Sequence, residues 1–210
     1  MTSKPKHGAE HYFTATPKSR EKLGLITVTL RGRPLTFLTS SGVFSKKRID
    51  AGTCLLIEAM VLPEAGTVLD VGCGYGAVGI AAATTNPQLR VVMTDVNMRA
   101  VQLAKRNLEI NKVRNAEARH GYLYTSVKDL EFNCVLTNPP VSAGMETVKN
   151  LITQAPQVMA EKATFQMVIR SKIGAKTLPA IFKEKFGNCQ VLARKSGYRV
   201  LMAQKQYFQL

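Results

Sequence analysis

Val68-Leu69-Asp70-Val71-Gly72-Cys73-Gly74-Tyr75-Gly76-Ala77-Val78-Gly79 reads as a buried strand that runs into a glycine loop and then into a helix, Ala77 to Thr85. The glycines let backbone approach a ligand closely, and the helix start offers free N–H groups to a carboxylate or phosphate. The next strand, Arg90 to Thr94, leads into Asp95, which is placed to accept from ribose hydroxyls. Gly74 to Gly79 also fits the dinucleotide fingerprint, so a nicotinamide enzyme is one reading. Asp70, two residues before the first glycine, argues for a different ligand. A carboxylate among the loop N–H groups attracts an ammonium, as on the amino-acid end of S-adenosylmethionine, and repels a pyrophosphate.

Outward from this unit, strand and helix alternate. A helix is expected over Met98–Asn111, with Val101, Ala104 and Leu108 as its apolar stripe, and strands near Ala116–Arg119 and Cys134–Thr137. Helix Met145–Gln154, strand Phe165–Ile169 and helix Thr177–Phe186 follow. Such alternation predicts a doubly wound α/β fold, a parallel sheet with helices on both faces. The end breaks the pattern: Cys189–Ala193 and Arg199–Ala203 are separated by Lys195-Ser196-Gly197, a turn short enough to make them antiparallel neighbours. Upstream, Leu25–Leu30 and Leu35–Thr39 flank Arg31-Gly32-Arg33 as a β-hairpin, and Thr53 to Met60 reads as a helix capped by Thr53. Residues 1–48 are read as a basic N-terminal extension and 49–210 as the catalytic domain.

Asn138-Pro139-Pro140 follows the apolar run Cys134-Val135-Leu136 and stops it. Proline fixes its own φ, donates no N–H, and holds the residue before it extended. The carboxamide of Asn138 and the carbonyl of Pro139 can therefore point rigidly past a strand end. Two fixed acceptors suit the gripping of both hydrogens of a planar amino group. An aromatic amine or amide is a poor nucleophile because its lone pair is delocalised; accepting both hydrogens frees the pair for attack without a strong base. Standing alone, Asn-Pro is also an ordinary turn dipeptide.

Taken together, Asp70-x-Gly72-x-Gly74-x-Gly76, Asp95 and Asn138-Pro139-Pro140 resemble the motifs of the class I methyltransferases. Gly42-Val43-Phe44-Ser45, Asp50-x-Gly52-Thr53, Leu55-Leu56, Phe186-Gly187-Asn188 and Gly197-Tyr198-Arg199-Val200 narrow the resemblance. They are similar to the small methyltransferase domain of ribosomal RNA guanine 2-amino methyltransferases, in particular its short single-domain members, over residues from about 10 to 205. The resemblance implies a Rossmann-like, mostly parallel seven-stranded sheet ending in an antiparallel hairpin. It implies S-adenosyl-L-methionine held by Asp70, Gly72, Cys73, Gly74 and Gly76, with Asp95 and Asn97 at the ribose and Thr53 assisting. It makes Asn138, Pro139 and Pro140 the catalytic grip. Many relatives carry Ser-Asp-Leu where this chain has Gly121-Tyr122-Leu123, which leaves the adenine to main-chain contacts or to packing on Tyr122.

The 210 residues carry a formal net charge of +15, unevenly. Residues 1–50 hold ten Lys/Arg and three acids, 51–161 hold nine and ten, and 162–210 hold ten and one. Basic flanks around a neutral middle suggest a polyanion gripped beside the site. Lys46-Lys47-Arg48, beside Phe44, are candidate RNA contacts, the expected partner being ribosomal RNA or a ribosomal particle. No apolar run approaches a membrane span, no targeting segment opens the chain, and a cytoplasmic location is expected. The four cysteines are widely spaced and the three histidines form no ligand motif, so no metal is indicated. Two other readings share these motifs: a glutamine side-chain methyltransferase, whose usual Asn-Pro-Pro-aromatic is here followed by Val141, and a non-catalytic RNA-binding assembly factor.

Overall fold

Short apolar runs bounded by glycine or proline pair as strands, and the longer amphipathic stretches between them cover the resulting sheet. The computed structural model describes residues 22–43, 48–139 and 144–206. In chain order the elements are β1 (Leu23–Leu30), β2 (Arg33–Ser40), α1 (Ala51–Ala59), β3 (Gly66–Val71), α2 (Ala77–Thr85), β4 (Leu89–Asp95), α3 (Met98–Ile110), β5 (Ala116–His120), β6 (Phe132–Thr137), α4 (Met145–Gln154), β7 (Met159–Arg170), α5 (Thr177–Phe186), β8 (Gln190–Lys195) and β9 (Tyr198–Gln204). Seven strands form one sheet in the order β5-β4-β3-β6-β7-β9-β8. β3 to β7 pair in parallel, and β9 is antiparallel to both its neighbours. β8 and β9 are joined by Ser196 and Gly197, both at positive φ. The doubly wound sheet with its terminal hairpin is the architecture expected from the alternation of elements.

Central parallel strands are covered on both faces, so their side chains divide between two cores with a period of two. Val68, Val91, Cys134, Leu136 and Val168 join the side of α1, α2, α3 and the β1–β2 hairpin. Leu69, Val92, Val135, Phe165 and Met167 join the side of α4 and α5. There Phe165, Phe182 and Phe186 pile up with ring centroids 5.5–5.9 Å apart.

The connection from β3 runs through α2 towards β4, while that from the neighbouring β6 runs through α4 towards β7 on the opposite face. Loops that diverge in this way open a crevice over the C-terminal ends of the two strands. The open edge of the β1–β2 hairpin is closed by side chains of α3 and of its C-cap, Asn111. Asn107 accepts from the Leu38 N–H (2.7 Å) and donates to its carbonyl (3.0 Å); Asn111 does the same at Thr36 (2.9 and 2.7 Å). Asn107 also donates to the carbonyl of Tyr75 at 2.8 Å, so one buried amide ties the hairpin to the glycine loop.

Two elements differ from expectation. α1 begins at Ala51 and is capped by Asp50, whose carboxylate accepts from the N–H groups of Gly52 and Thr53; Thr53 lies inside the first turn. β7 starts at Met159, well before Phe165, because the ladder to β6 shifts register and Lys162 adopts a positive φ of 61°. Glu161 and Lys162 interrupt the apolar pattern that would otherwise reveal the strand. Among the described residues no helix is long and apolar enough to cross a membrane.

Candidate active site

The crevice over β3 and β6 holds a cavity of about 290 Å³. Its floor is the end of β3 and the glycine loop, from Asp70 to Tyr75. Thr94, Asp95 and Val96 follow from β4, Gly121, Tyr122 and Leu123 from the segment after β5, and Asn138 with Pro139 from the end of β6.

Gly72 and Gly74 have φ of +71° and +56°, and a Cβ built on either would meet nothing within 4 Å. The main chain there is bare toward open space, as a cradle for a ligand requires, and only glycine takes that backbone without strain. Gly76 differs: it does not line the cavity, and a Cβ on it would press on Ile80, Met93 and Ala104 at 3.2–3.3 Å. The missing side chain there lets α2 pack closely. The Cys73 thiol lines the cavity, and burial raises it well above the usual thiol range.

Asp70 is 1 % exposed and reaches the cavity from beneath the loop. Its carboxylate accepts from the Gly79 N–H at 2.9 Å. Burial pushes its carboxyl up to about 7; the Gly79 bond opposes this and the charge of Asp95 adds to it. A buried carboxylate with no cation beside it among the described residues is a place for a ligand's positive charge. Asp95 accepts from the N–H of Gly74 (2.8 Å) and of Asn97 (2.8 Å), fixing the loop it faces. Burial raises its carboxyl too, against those bonds. Carboxylate oxygens retain further lone pairs, so Asp95 can still accept from ligand hydroxyls.

Asn97 is placed apart from Asp95. It is fully buried and absent from the cavity wall; its side chain caps α3, accepting from the Arg99 N–H (3.0 Å), and donates to the Gly42 carbonyl (2.9 Å). It acts on the site through the backbone it holds. Tyr122 stands at the rim, 49 % exposed, where its ring can cover a ligand.

At the end of β6 the direction of one amide is fixed by its neighbours. Thr53 Oγ1 donates to Asp50 Oδ2, a carboxylate that can only accept. With its proton committed, Thr53 Oγ1 accepts from Asn138 Nδ2 at 2.8 Å, and that nitrogen also lies 3.3 Å from Asp50 Oδ2. The amide nitrogen of Asn138 is therefore turned inward, and Oδ1 is the end left to accept. Thr53 thus orients Asn138 in addition to lining the cavity. Asp50 was readable only as part of a motif; the Asp-x-x-Thr spacing at a helix start was the signal for its capping role. Val43, also on the wall, was likewise part of a motif, whereas Thr147 and Leu151 carried no signal of their own.

Pro140, Phe44, Lys46 and Lys47 lie outside the described residues; Arg48 is described and exposed. Among the described residues no group of His, Cys, Asp or Glu could hold a metal ion, and the four cysteines are free thiols.

The chain matches the family model of the methyltransferase small domain over residues 34–202. It is 35 % identical over 199 residues to the uncharacterized protein YbxB of Bacillus subtilis, covering 94 % of this chain and 99 % of that one. It is 32 % identical over 184 residues to the ribosomal RNA small subunit methyltransferase C of Vibrio parahaemolyticus, covering 85 % of this chain and 52 % of that protein. Among solved structures, the T. thermophilus 16S rRNA N2 G1207 methyltransferase in complex with AdoMet and guanosine superposes with a TM-score of 0.79 at 26 % identity, over 90 % of this chain and 52 % of that one. The chain thus spans about half the length of these named ribosomal RNA methyltransferases.

Proposed function

The chain belongs to the methyltransferase small domain family, and from that premise we propose that it is an S-adenosylmethionine-dependent N-methyltransferase acting on an exocyclic amino group of a base in RNA, with guanine in ribosomal RNA as the target. The observation that carries this reading is the fixed amide of Asn138, whose Oδ1 is left as an acceptor beside the cavity while Thr53 and Asp50 hold its nitrogen.

The residues present fit the cofactor. Asp70 suits its ammonium, the bare main chain of Gly72 and Gly74 suits the amino-acid portion, Asp95 suits the ribose hydroxyls and Tyr122 the adenine. When bound, S-adenosylmethionine supplies a methyl group on a sulfonium, an excellent leaving group. The chain's own contribution is positioning. Asn138 Oδ1 takes one hydrogen of the target amine, and the carbonyl of Pro139 takes the other. The nitrogen's lone pair is drawn out of the aromatic system and held in one direction. Such orientation is worth several kcal/mol of barrier when it is kept rigid.

Rigidity comes from Thr53. Thr53→Val removes the acceptor that holds the amide nitrogen, and turnover should fall about tenfold, the scale of one hydrogen bond of ~1.4 kcal/mol. Thr53→Ser should restore most of it. In an Asn138→Ala background, Thr53→Val should change turnover no further, because the group it orients is gone. Additive losses in that cycle would mean that Thr53 acts elsewhere.

The deciding experiment is incubation with methyl-labelled S-adenosylmethionine and total RNA, followed by mass spectrometry of the modified nucleotide. N2-methylguanine in ribosomal RNA is expected. Label in protein glutamine, with none in RNA, would overturn the proposal.

A further inference from the structure

The motif Gly197-Tyr198-Arg199-Val200 takes no part in the cavity, yet it is built at a cost that needs a reason. Arg199 is 6 % exposed. Its guanidinium donates to the carbonyls of Ala175 (3.1 Å) and Gly174 (3.0 Å), and no acid pairs with it among the described residues. Burying a charge is tolerated when most of its donors are satisfied; the carbonyls that accept from Nη1 and Nη2 all belong to one loop, while Nε has no partner among the described residues. These bonds tie the loop, residues 171–176, to β9 from below. Ser171 N–H also donates to the Gly197 carbonyl at 2.8 Å, which joins the loop to the β8–β9 turn.

Loop and turn lie at the same edge of the sheet as Asn138. Thr137 is in register with Met167 on β7, and Arg170, at the end of β7, is in register with Tyr198. The Tyr198 ring packs on Gly52, where a Cβ would fall 2.8 Å from a ring carbon, and the same Cβ would lie 3.0 Å from Asp50 Oδ1. Asp50 is the anchor of the Asn138 amide, so the turn begins one side chain away from the proposed reacting end.

What this fixed surface displays is positive. Arg170, Lys172, Lys176, Arg194 and Lys195 are all exposed, and Glu184 is the one acid from residue 162 to the end of the chain. The ion pairs among the described residues engage Arg90, Arg119 and Lys185. Arg170 stacks its guanidinium over Tyr198, 5.4 Å from the ring centroid, which leaves its donors free to face outward. Like charges gathered at one end of the sheet repel one another, and such a cluster is suited to a polyanion.

We propose that loop 171–176 and the turn 194–198 form the surface on which the RNA phosphate backbone docks beside the acceptor base, with Arg170, Lys172 and Lys176 as phosphate contacts. This rests on the RNA reading above and assigns the phosphate contacts to residues other than Lys46, Lys47 and Arg48. It predicts that RNA affinity depends on this edge of the sheet more than on total charge.

The test compares three proteins for binding a labelled RNA hairpin with guanine in its loop, across a salt series. They are the parent, the triple variant Arg170→Gln/Lys172→Gln/Lys176→Gln, and a control with the same charge change on the far side of the sheet, Lys105→Gln/Arg106→Gln/Lys112→Gln. Each phosphate contact contributes about 0.7–0.9 to the slope of log affinity against log salt. The edge variant should lose about 2–3 from that slope and bind at least about tenfold more weakly at moderate salt. The control should stay near the parent. S-adenosylmethionine affinity, measured by calorimetry, should be equal in all three and confirms that each is folded. An edge variant with the parent's slope, or a control that loses as much as the edge variant, overturns the proposed surface while leaving an RNA substrate standing. A parent with no salt-sensitive RNA binding overturns the substrate reading and the surface with it.

Discussion

Asn138→Ala should lower methyl transfer by about a hundredfold at saturating RNA and S-adenosylmethionine, the scale expected when a reacting group is no longer held in its attack geometry. Cofactor affinity should change little. The separation follows from where the side chain sits. Asn138 closes the cavity at the end of β6, whereas the proposed contacts to the cofactor come from the ends of β3 and β4. Its amide nitrogen is already committed to Thr53 and Asp50, so the oxygen is what the substitution removes from the cavity. An acceptor that matters most as the amine attacks lowers kcat more than it raises KM. Single-turnover rates beside calorimetric titration with S-adenosylmethionine would measure both quantities. Turnover within about twofold of the parent would reduce Asn138 to a turn residue that ends a strand.

How much of this was legible beforehand depended on how local the determinant is. The spans Ala77–Thr85, Met145–Gln154 and Thr177–Phe186 were readable because their pattern is local and a stop, Asn86, Ala155-Pro156 or Gly187, follows each directly. The start of β7 was not, since a bulge at Lys162 places charged residues inside a strand. The glycine loop, Asp70, Asp95 and Asn138 could be picked out as chemistry-bearing types at the ends of apolar runs, and all four line one cavity. What sequence spacing could not give is the direction of side chains across long separations. Asn97 and Asp95 are two residues apart, yet one faces the cavity and the other caps α3 behind it. The contact between Thr53 and Asn138 spans 85 residues and exists only once α1 is laid beside β6. Likewise, the meeting of Arg170 with Tyr198 required the antiparallel pairing of β9 with β7.

Asp70 gives the second large effect, and it carries a sign. Its folded carboxyl stands at about 7 against an ordinary 3.8, raised by burial despite the bond from Gly79. A raised folded value means that the native state holds the proton more tightly than the unfolded chain does. Its stabilising contribution is therefore complete below about pH 4 and is lost as pH rises through about 7, a change on the order of 4 kcal/mol in the ligand-free protein. The ammonium of S-adenosylmethionine calls for the opposite state, the ionised carboxylate. Cofactor affinity should thus rise about tenfold between pH 5.5 and pH 7, as the ionised fraction climbs toward one half. Asp70→Asn keeps the shape and cannot ionise. Its affinity should be flat across that range and about a hundredfold below the parent's near pH 7.5, the upper scale of a hydrogen bond to a charged group. The same variant, free of ligand, should melt at a higher temperature than the parent at pH 7.5, because it no longer confines a charge in the core. Weakened binding together with raised stability is the pairing that distinguishes a carboxylate kept for a ligand from one kept for the fold. Calorimetric titrations at three pH values and thermal melts of the ligand-free proteins would decide it; a parent affinity independent of pH, or an Asn variant that binds as the parent does, would remove Asp70 from the cofactor site.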